Sequence, residues 1–331
     1  MAGLKIGIIG TNFISDRFCE AARSVSGVEV SAVYSRAAQT GEAFASRNGV
    51  PKVFTDYGEM LASDIDAVYV ASPTFVHKRQ SIAAMESGKA VLCEKMMGAT
   101  LKDVDNMLAV RSSTDAVLLE AMRPDFDPAW QAVKNALPSI GKVRRVHLEF
   151  CQYSSRYDRF KSGEVLNAFD PSIANSALAD IGIYPLHVCI SLFGSPKAVD
   201  SHHTYLPGGF EGMGNIILTY DGMLASIVYS KITDGVSSSV IEGELGSIVI
   251  DKVSAPKNIT LKLRGEDVRQ IPFYYSENNM VYEIAAFRDA CLGTLPFLDY
   301  LDVTRRSVAI VDGVYRSSGI SRYFNPDIID L

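Results

Sequence analysis

From residue 4 to about residue 120, short β-branched and apolar runs alternate with longer stretches whose apolar positions recur every three or four residues. The runs predict strands over 4–10, 28–34, 66–71, 89–94 and 116–121, and the longer stretches predict helices over 15–24, 39–48, 77–87 and 101–111. The strand runs are almost continuously apolar, as expected of parallel strands with helices on both faces. Strand and helix in strict alternation define a doubly wound α/β unit, so the fold class predicted for this half is a Rossmann domain.

Beyond Arg123-Pro124 the rhythm changes. A helical segment over 128–137 precedes residues 142–152, where Val146, Leu148 and Phe150 alternate with polar positions, the period of a strand with one solvated or partner-facing side. Further strands are predicted over 215–220, 224–231, 240–245, 247–251 and 258–263, joined by turn signals at Asp221-Gly222 and Gly246. Helical patterns over 179–192, 280–292 and 300–316 would cover one face of this sheet. The reading is a second, α+β domain with a largely antiparallel open sheet, dividing the chain at 1–122 and 123–331.

The length, 331 residues, suits two cores rather than one. A net charge of -6 with no block of like charges argues against nucleic acid and for a small-molecule partner. No run approaches the ~18 apolar residues of a membrane span, and the opening apolar run is too short for a signal peptide. The five cysteines are scattered with no C-x-x-C pair, which points to a reduced, cytoplasmic protein, and Cys189 reads as a packed thiol. Five histidines without H-E-x-x-H spacing give no metal site, and no G-x-S-x-G elbow supports hydrolysis.

Candidate chemistry sits where parallel strands end, since open α/β sheets bind ligands at their carboxyl edge. The first βα turn, Gly10-Thr11-Asn12-Phe13-Ile14, keeps the leading glycine of a dinucleotide turn but has Asn12 where a second glycine lets the backbone approach a pyrophosphate. Asn tolerates left-handed backbone, so the turn is expected to hold phosphate at the following helix N-terminus; a purely structural turn is the competing reading. The second strand ends at Tyr34-Ser35-Arg36 with no acid for a ribose 2'-hydroxyl, and Ser35 with Arg36 suits a 2'-phosphate. NADP is therefore preferred to NAD, unless Arg36 is only a solvated cation. Two further strand ends carry Ser72-Pro73 running to His77, and Glu94-Lys95-Met96-Met97.

With Glu120-Ala121-Met122-Arg123 and Asp180-Ile181-Gly182-Ile183-Tyr184-Pro185-Leu186-His187, these segments in this order resemble the glucose-fructose oxidoreductase, inositol dehydrogenase and MocA family over essentially the whole length. The resemblance implies redox chemistry on a sugar, cyclitol or related polyhydroxy compound with NAD(P), and a homodimer or homotetramer. It implies Lys95, Asp180 and Tyr184 as catalytic residues, with Tyr184 exchanging the proton, Lys95 assisting electrostatically and Asp180 holding the lysine or a hydroxyl. Glu94, Ser72, Pro73, His77 and Arg123 would join the turn as cofactor contacts. His187 would meet substrate, with a core role equally open to it; independently of the resemblance, segment 152–169 with Arg156 and Tyr157 is polar and aromatic enough to line a sugar site, with a surface loop equally open. The family's triplet has proline after Glu-Lys, often with a cis bond, whereas Met96 stands here, so a trans or strained turn is expected. If a regular helix begins at Asp180, then Asp180, Tyr184 and His187 share one face, and Asp180 could instead cap it. Competing functions are a nucleotide-binding sensor or assembly protein with little turnover, and an NAD-assisted glycoside-cleaving enzyme.

Overall fold

The computed structural model describes residues 3–164 and 166–318, and the chain divides into two units. The first comprises 1–123 with 276–305, the second 124–275 with 306–331.

Six parallel strands form the sheet of the first unit: β1 (Leu4–Ile9), β2 (Val28–Tyr34), β3 (Lys52–Phe54), β4 (Ala67–Val70), β5 (Ala90–Glu94) and β6 (Leu118–Ala121). Their order is β3-β2-β1-β4-β5-β6, the doubly wound arrangement with its reversal between β1 and β4. Strand β4 is buried at every position because helices cover both faces. The pattern of apolar runs missed β3 and the helix Tyr57–Ala62, since three residues are too few to display a period.

The second unit carries an eight-stranded sheet. It comprises β7 (Val143–Cys151), β8 (Ala198–Tyr205), β9 (Glu211–Tyr220), β10 (Met223–Ser230), β11 (Ser239–Gly243), β12 (Gly246–Ile250), β13 (Ile259–Leu263) and β14 (Arg269–Gln270). In the order β14-β13-β12-β11-β7-β10-β9-β8 every neighbouring pair is antiparallel except β7 with β10. Asp221-Gly222 makes the expected two-residue hairpin between β9 and β10, with Gly222 at φ +72°. Strand β8 was not anticipated: it is mostly exposed, and its polar run Asp200-Ser201-His202-His203-Thr204 hides the alternation.

One expectation is corrected. The helix Met280–Cys291 does not cover the second sheet; it packs on the helix Phe13–Ala22 inside the first unit. Asn278 donates to the Arg17 carbonyl at 2.9 Å, and Arg288 donates to the Ser26 carbonyl at 2.7 Å. An amphipathic stripe dictates that a face be buried, not against which partner. Among the described residues no helix is long and apolar enough to cross a membrane.

Candidate active site

At the carboxyl edge of the first sheet the opening turn is built around contacts to Ala71, the residue after β4. Gly10 has φ +103°, and a Cβ there would lie 2.6 Å from the Ala71 carbonyl oxygen, so only glycine fits. Asn12 is extended (φ -87°, ψ 178°) rather than left-handed, which corrects the expectation. It acts as N-cap: its Oδ1 accepts from the Ile14 and Ser15 amides at 3.0 and 3.3 Å, while its Nδ2 donates to the Ala71 carbonyl at 3.0 Å. The turn thus exchanges a second glycine for a side chain that pins β1's exit to β4's. The Thr11 carbonyl accepts from Arg47 at 3.0 Å, and Phe13 stands exposed at the head of the helix.

At the end of β2, Ser35 is buried, its hydroxyl donating to the Ala37 carbonyl at 3.0 Å or sharing a 2.6 Å hydrogen bond with Thr40, beside an exposed Arg36. After β4, the Ser72 hydroxyl meets Gln80 at 2.5 Å and Pro73 caps the helix Thr74–Glu86. His77 is enclosed, with Nε2 2.8 Å from the Ser72 carbonyl and Nδ1 2.9 Å from that of Met96. Burial pushes its pKa down, and a neutral imidazole has one N–H to give, so it can donate to only one of these carbonyls at a time. The ring nonetheless ties the exits of β4 and β5 together, which makes it a scaffold for the edge.

Lys95 follows β5, and the Lys95–Met96 peptide is cis. Beneath it the enclosed Glu94 accepts from the Tyr69 hydroxyl at 2.6 Å and from the Lys95 amide at 3.3 Å; burial raises its pKa, opposed by Lys95, Tyr69 and Arg123. Glu94 is therefore a support of this edge with its carboxyl turned inward. Glu120 accepts from the Met97 amide at 2.7 Å and the Thr304 hydroxyl at 2.8 Å, which fixes the backbone just past the lysine. Arg123 donates to Asn279 Oδ1 at 3.2 Å.

In the second unit, residues Leu178–Gly182 form a π-helical turn ahead of the helix Ile183–Phe193. The widened turn alters the predicted shared face, and it places Asp180 inside a helical turn rather than at its cap. The Leu178 amide donates to the buried Glu211 carboxylate at 2.9 Å, and the Ala179 amide donates to the Ser176 hydroxyl at 3.0 Å. Gly182 lies on the Tyr229 ring, where a Cβ would come within 2.7 Å of ring carbon. Asp180 pairs with Lys231 at 2.8 Å. Tyr184 is 5% exposed, its ring 5.7 Å from that of Phe150.

The three expected substrate contacts have different surroundings. His187 is wholly enclosed, Nε2 2.9 Å from the Asp125 carboxylate and Nδ1 3.3 Å from the Ser307 hydroxyl, so both ring nitrogens are engaged in the core. Tyr157 packs its ring on Phe160 and Phe169 in a satellite apolar cluster with Phe210. Arg156 is exposed beside the short helix Tyr157–Lys161. Cys189 is a buried thiol pushed up to about 12 by desolvation, unsuited to nucleophilic work. Sequence reasoning missed Lys231, Glu211, Asn279 and Glu283; a lysine just past an apolar strand was the one available signal.

The doubly wound order, the glycine turn at the β1–β4 reversal and the lysine at the end of β5 define a nicotinamide-dinucleotide-dependent oxidoreductase. Two family models match: the oxidoreductase family with NAD-binding Rossmann fold over residues 4–121, and the GFO/IDH/MocA C-terminal domain over residues 130–249. The chain belongs to the glucose-fructose oxidoreductase, inositol dehydrogenase and MocA family. It is 41% identical to scyllo-inositol 2-dehydrogenase (NADP(+)) IolU of Bacillus subtilis, over 86% of this chain and 87% of that protein. Identity to the uncharacterized oxidoreductase YgjR of Escherichia coli is 34%, over 96% and 97% respectively. The crystal structure of aldose-aldose oxidoreductase from Caulobacter crescentus, complexed with glycerol, shares the fold with a TM-score of 0.85 at 19% identity, covering 96% of this chain and 98% of that one.

Proposed function

We propose that this enzyme interconverts a carbinol and a carbonyl on a cyclitol or related polyhydroxy compound, with NADP as preferred cofactor and Lys95, Asp180 and Tyr184 carrying the chemistry. The observation that carries the reading is Lys95, held by the Glu94, Glu120 and His77 contacts at the same sheet edge as Gly10 and Ser35. The residues present fit a dinucleotide: the glycine turn and capped helix suit a pyrophosphate, and Ser35 with Arg36, in place of an acid, suits a 2'-phosphate. Gly10, Thr11, Asn12, Phe13 and Ile14 would hold the one, with Ser72, Pro73 and Arg123 serving the rest of the cofactor. The nicotinamide supplies the two-electron redox step when bound.

In the proposed reaction the Lys95 ammonium donates to the substrate oxygen and favours negative charge developing there. In the oxidative direction Tyr184 takes the substrate's hydroxyl proton as it passes its own on to water, and in the reductive direction the transfer runs backwards. Asp180 accepts from a substrate hydroxyl and so orients the ring. The name of the Bacillus subtilis relative makes scyllo-inositol the first substrate to test. A cytoplasmic homodimer or homotetramer completes the reading, which sedimentation of the purified protein would test.

The deciding experiment titrates NADPH and NADH by fluorescence, then measures turnover of scyllo-inositol and a panel of polyols and aldoses by wild type and Lys95→Met. Expected are NADPH binding in both proteins and a kcat lower by about 10²- to 10⁴-fold in the variant. Turnover unchanged by loss of Lys95 would discard the mechanism, and absence of dinucleotide binding would discard the reading whole.

A further inference from the structure

Lys231 follows β10 and is among the most enclosed charged side chains of the second unit, 5% exposed, whereas its partner Asp180 keeps 37% of its side chain open. The ammonium donates to the Ala168 carbonyl at 2.7 Å and meets Asp180 Oδ2 at 2.8 Å. Its remaining surface lies over aromatic rings, 5.0 Å from the centre of Phe169 and 5.3 Å from that of Phe210. The backbone is held on both sides: the Lys231 amide donates to the Gly212 carbonyl at 2.9 Å, and the Ser154 amide donates to the Lys231 carbonyl at 2.9 Å. The lysine is therefore fixed at its base and boxed at its tip.

Stability alone does not explain the pair. An ammonium drawn into an aromatic box is costly to desolvate, and an apolar side chain of similar volume often serves a core as well or better. What the ammonium adds is direction. The carboxylate it grips sits in a π-helical turn, a distortion that re-aims one side chain relative to a regular helix and frequently occurs at functional sites. The turn sets where Asp180 leaves the backbone, and Lys231 sets how its carboxylate is rotated.

We propose that Lys231 is a positioning residue, which locks the Asp180 carboxylate through a buried ion pair so that its open side meets a substrate hydroxyl. The substrate role rests on the reading of Asp180 given under the proposed function; the lock does not. The Phe169 and Phe210 rings and the Ala168 carbonyl form the seat of the ammonium, so the segment around Asn167–Phe169 acts on Asp180 through the lysine.

Lys231→Gln can still donate to the Ala168 carbonyl but has no charge; Lys231→Met removes both, and Lys231→Arg restores charge. The test takes crystal structures of the wild type and these variants, with steady-state kinetics on NADP and scyllo-inositol. Expected are a rotated Asp180 carboxylate in the Gln and Met variants, kept in place in the Arg variant. With scyllo-inositol, kcat/KM for the cyclitol falls about 10²-fold while KM for NADP is unchanged. In an Asp180→Asn background the same lysine substitutions then cost little, because the two side chains act as one. A carboxylate that keeps its orientation in Lys231→Gln overturns the proposal, as does a kcat/KM within twofold of wild type. Should the Met variant fail to fold, the Gln variant carries the test. Should no polyol turn over even in wild type, the reading of function is what fails, and the crystallographic comparison still decides the lock.

Discussion

Glu283 faces Glu94 inside the first unit, both carboxyls enclosed and neither Glu283 oxygen hydrogen-bonded to a described residue. Burial raises the Glu283 pKa well above the usual carboxylate range; the Glu94 charge raises it further and Arg123 opposes. Unfolded, this carboxyl releases its proton near pH ~4.3, whereas folded it holds it to higher pH. The folded chain therefore binds more protons in that window, and the Glu283 contribution to stability declines as pH rises through it. Glu283→Gln mimics the protonated acid and has no proton to lose. The variant should match wild type at about pH 4 and become the more stable protein toward about pH 8, as read from urea midpoints. A difference between the two proteins that is flat with pH contradicts this assignment.

Cofactor choice is expected to lie with Ser35 and Arg36. Arg36→Ala should weaken NADPH binding by about 1.5–3 kcal/mol, the loss of a charged hydrogen bond, and leave NADH nearly untouched. Ser35→Asp should reverse the preference by repelling a 2'-phosphate and accepting from a 2'-hydroxyl. Fluorescence titration of both dinucleotides reads the result; equal weakening of the two by Arg36→Ala refutes it.

Asn12 combines a cap and a strap. Asn12→Ala should cost about 1–2 kcal/mol through the lost cap and about 1 more through the bond to Ala71. Asn12→Asp keeps the acceptor and loses the donor, so it should recover the larger part. Chemical denaturation of the three proteins tests this, and an alanine variant as stable as wild type would dismiss the cap as an energetic feature.

Gly182→Ala forces a methyl into the Tyr229 ring. The ring is fully buried, so the π-helical turn must shift instead. Turnover should fall by about 10²-fold with NADPH affinity kept, since the residues proposed to hold the dinucleotide belong to the other unit. Loss of NADPH binding together with turnover would show that the substitution acts by unfolding.

The first unit was legible because strands covered on both faces are mostly apolar, so β1, β2, β4, β5 and β6 stand out as runs. Strand β8 was illegible for the opposite reason: it is mostly exposed, and even the side chain it buries, His203, is polar, so no apolar period shows. Gly10, Ser35 and Lys95 stand out as candidates because strand ends are where this fold class works. Lys231 offers only its place just past an apolar strand, because its pair with a distant helical turn leaves no local pattern, and the π-helical turn is invisible to reasoning that assumes 3.6 residues per turn. Of the two readings open to His187, its contacts with Asp125 and Ser307 are those of the core one.

The placement of 276–305 also matters for synthesis. A ribosome delivers the glycine turn and all six parallel strands early, but the helix that closes over Phe13–Ala22 only after the entire second sheet has been made. The nascent dinucleotide unit must wait with one flank uncovered, so a fragment stopped near residue 123 should be sticky and protease-sensitive, and a minimal cofactor-binding protein would have to be spliced from two distant stretches of the chain.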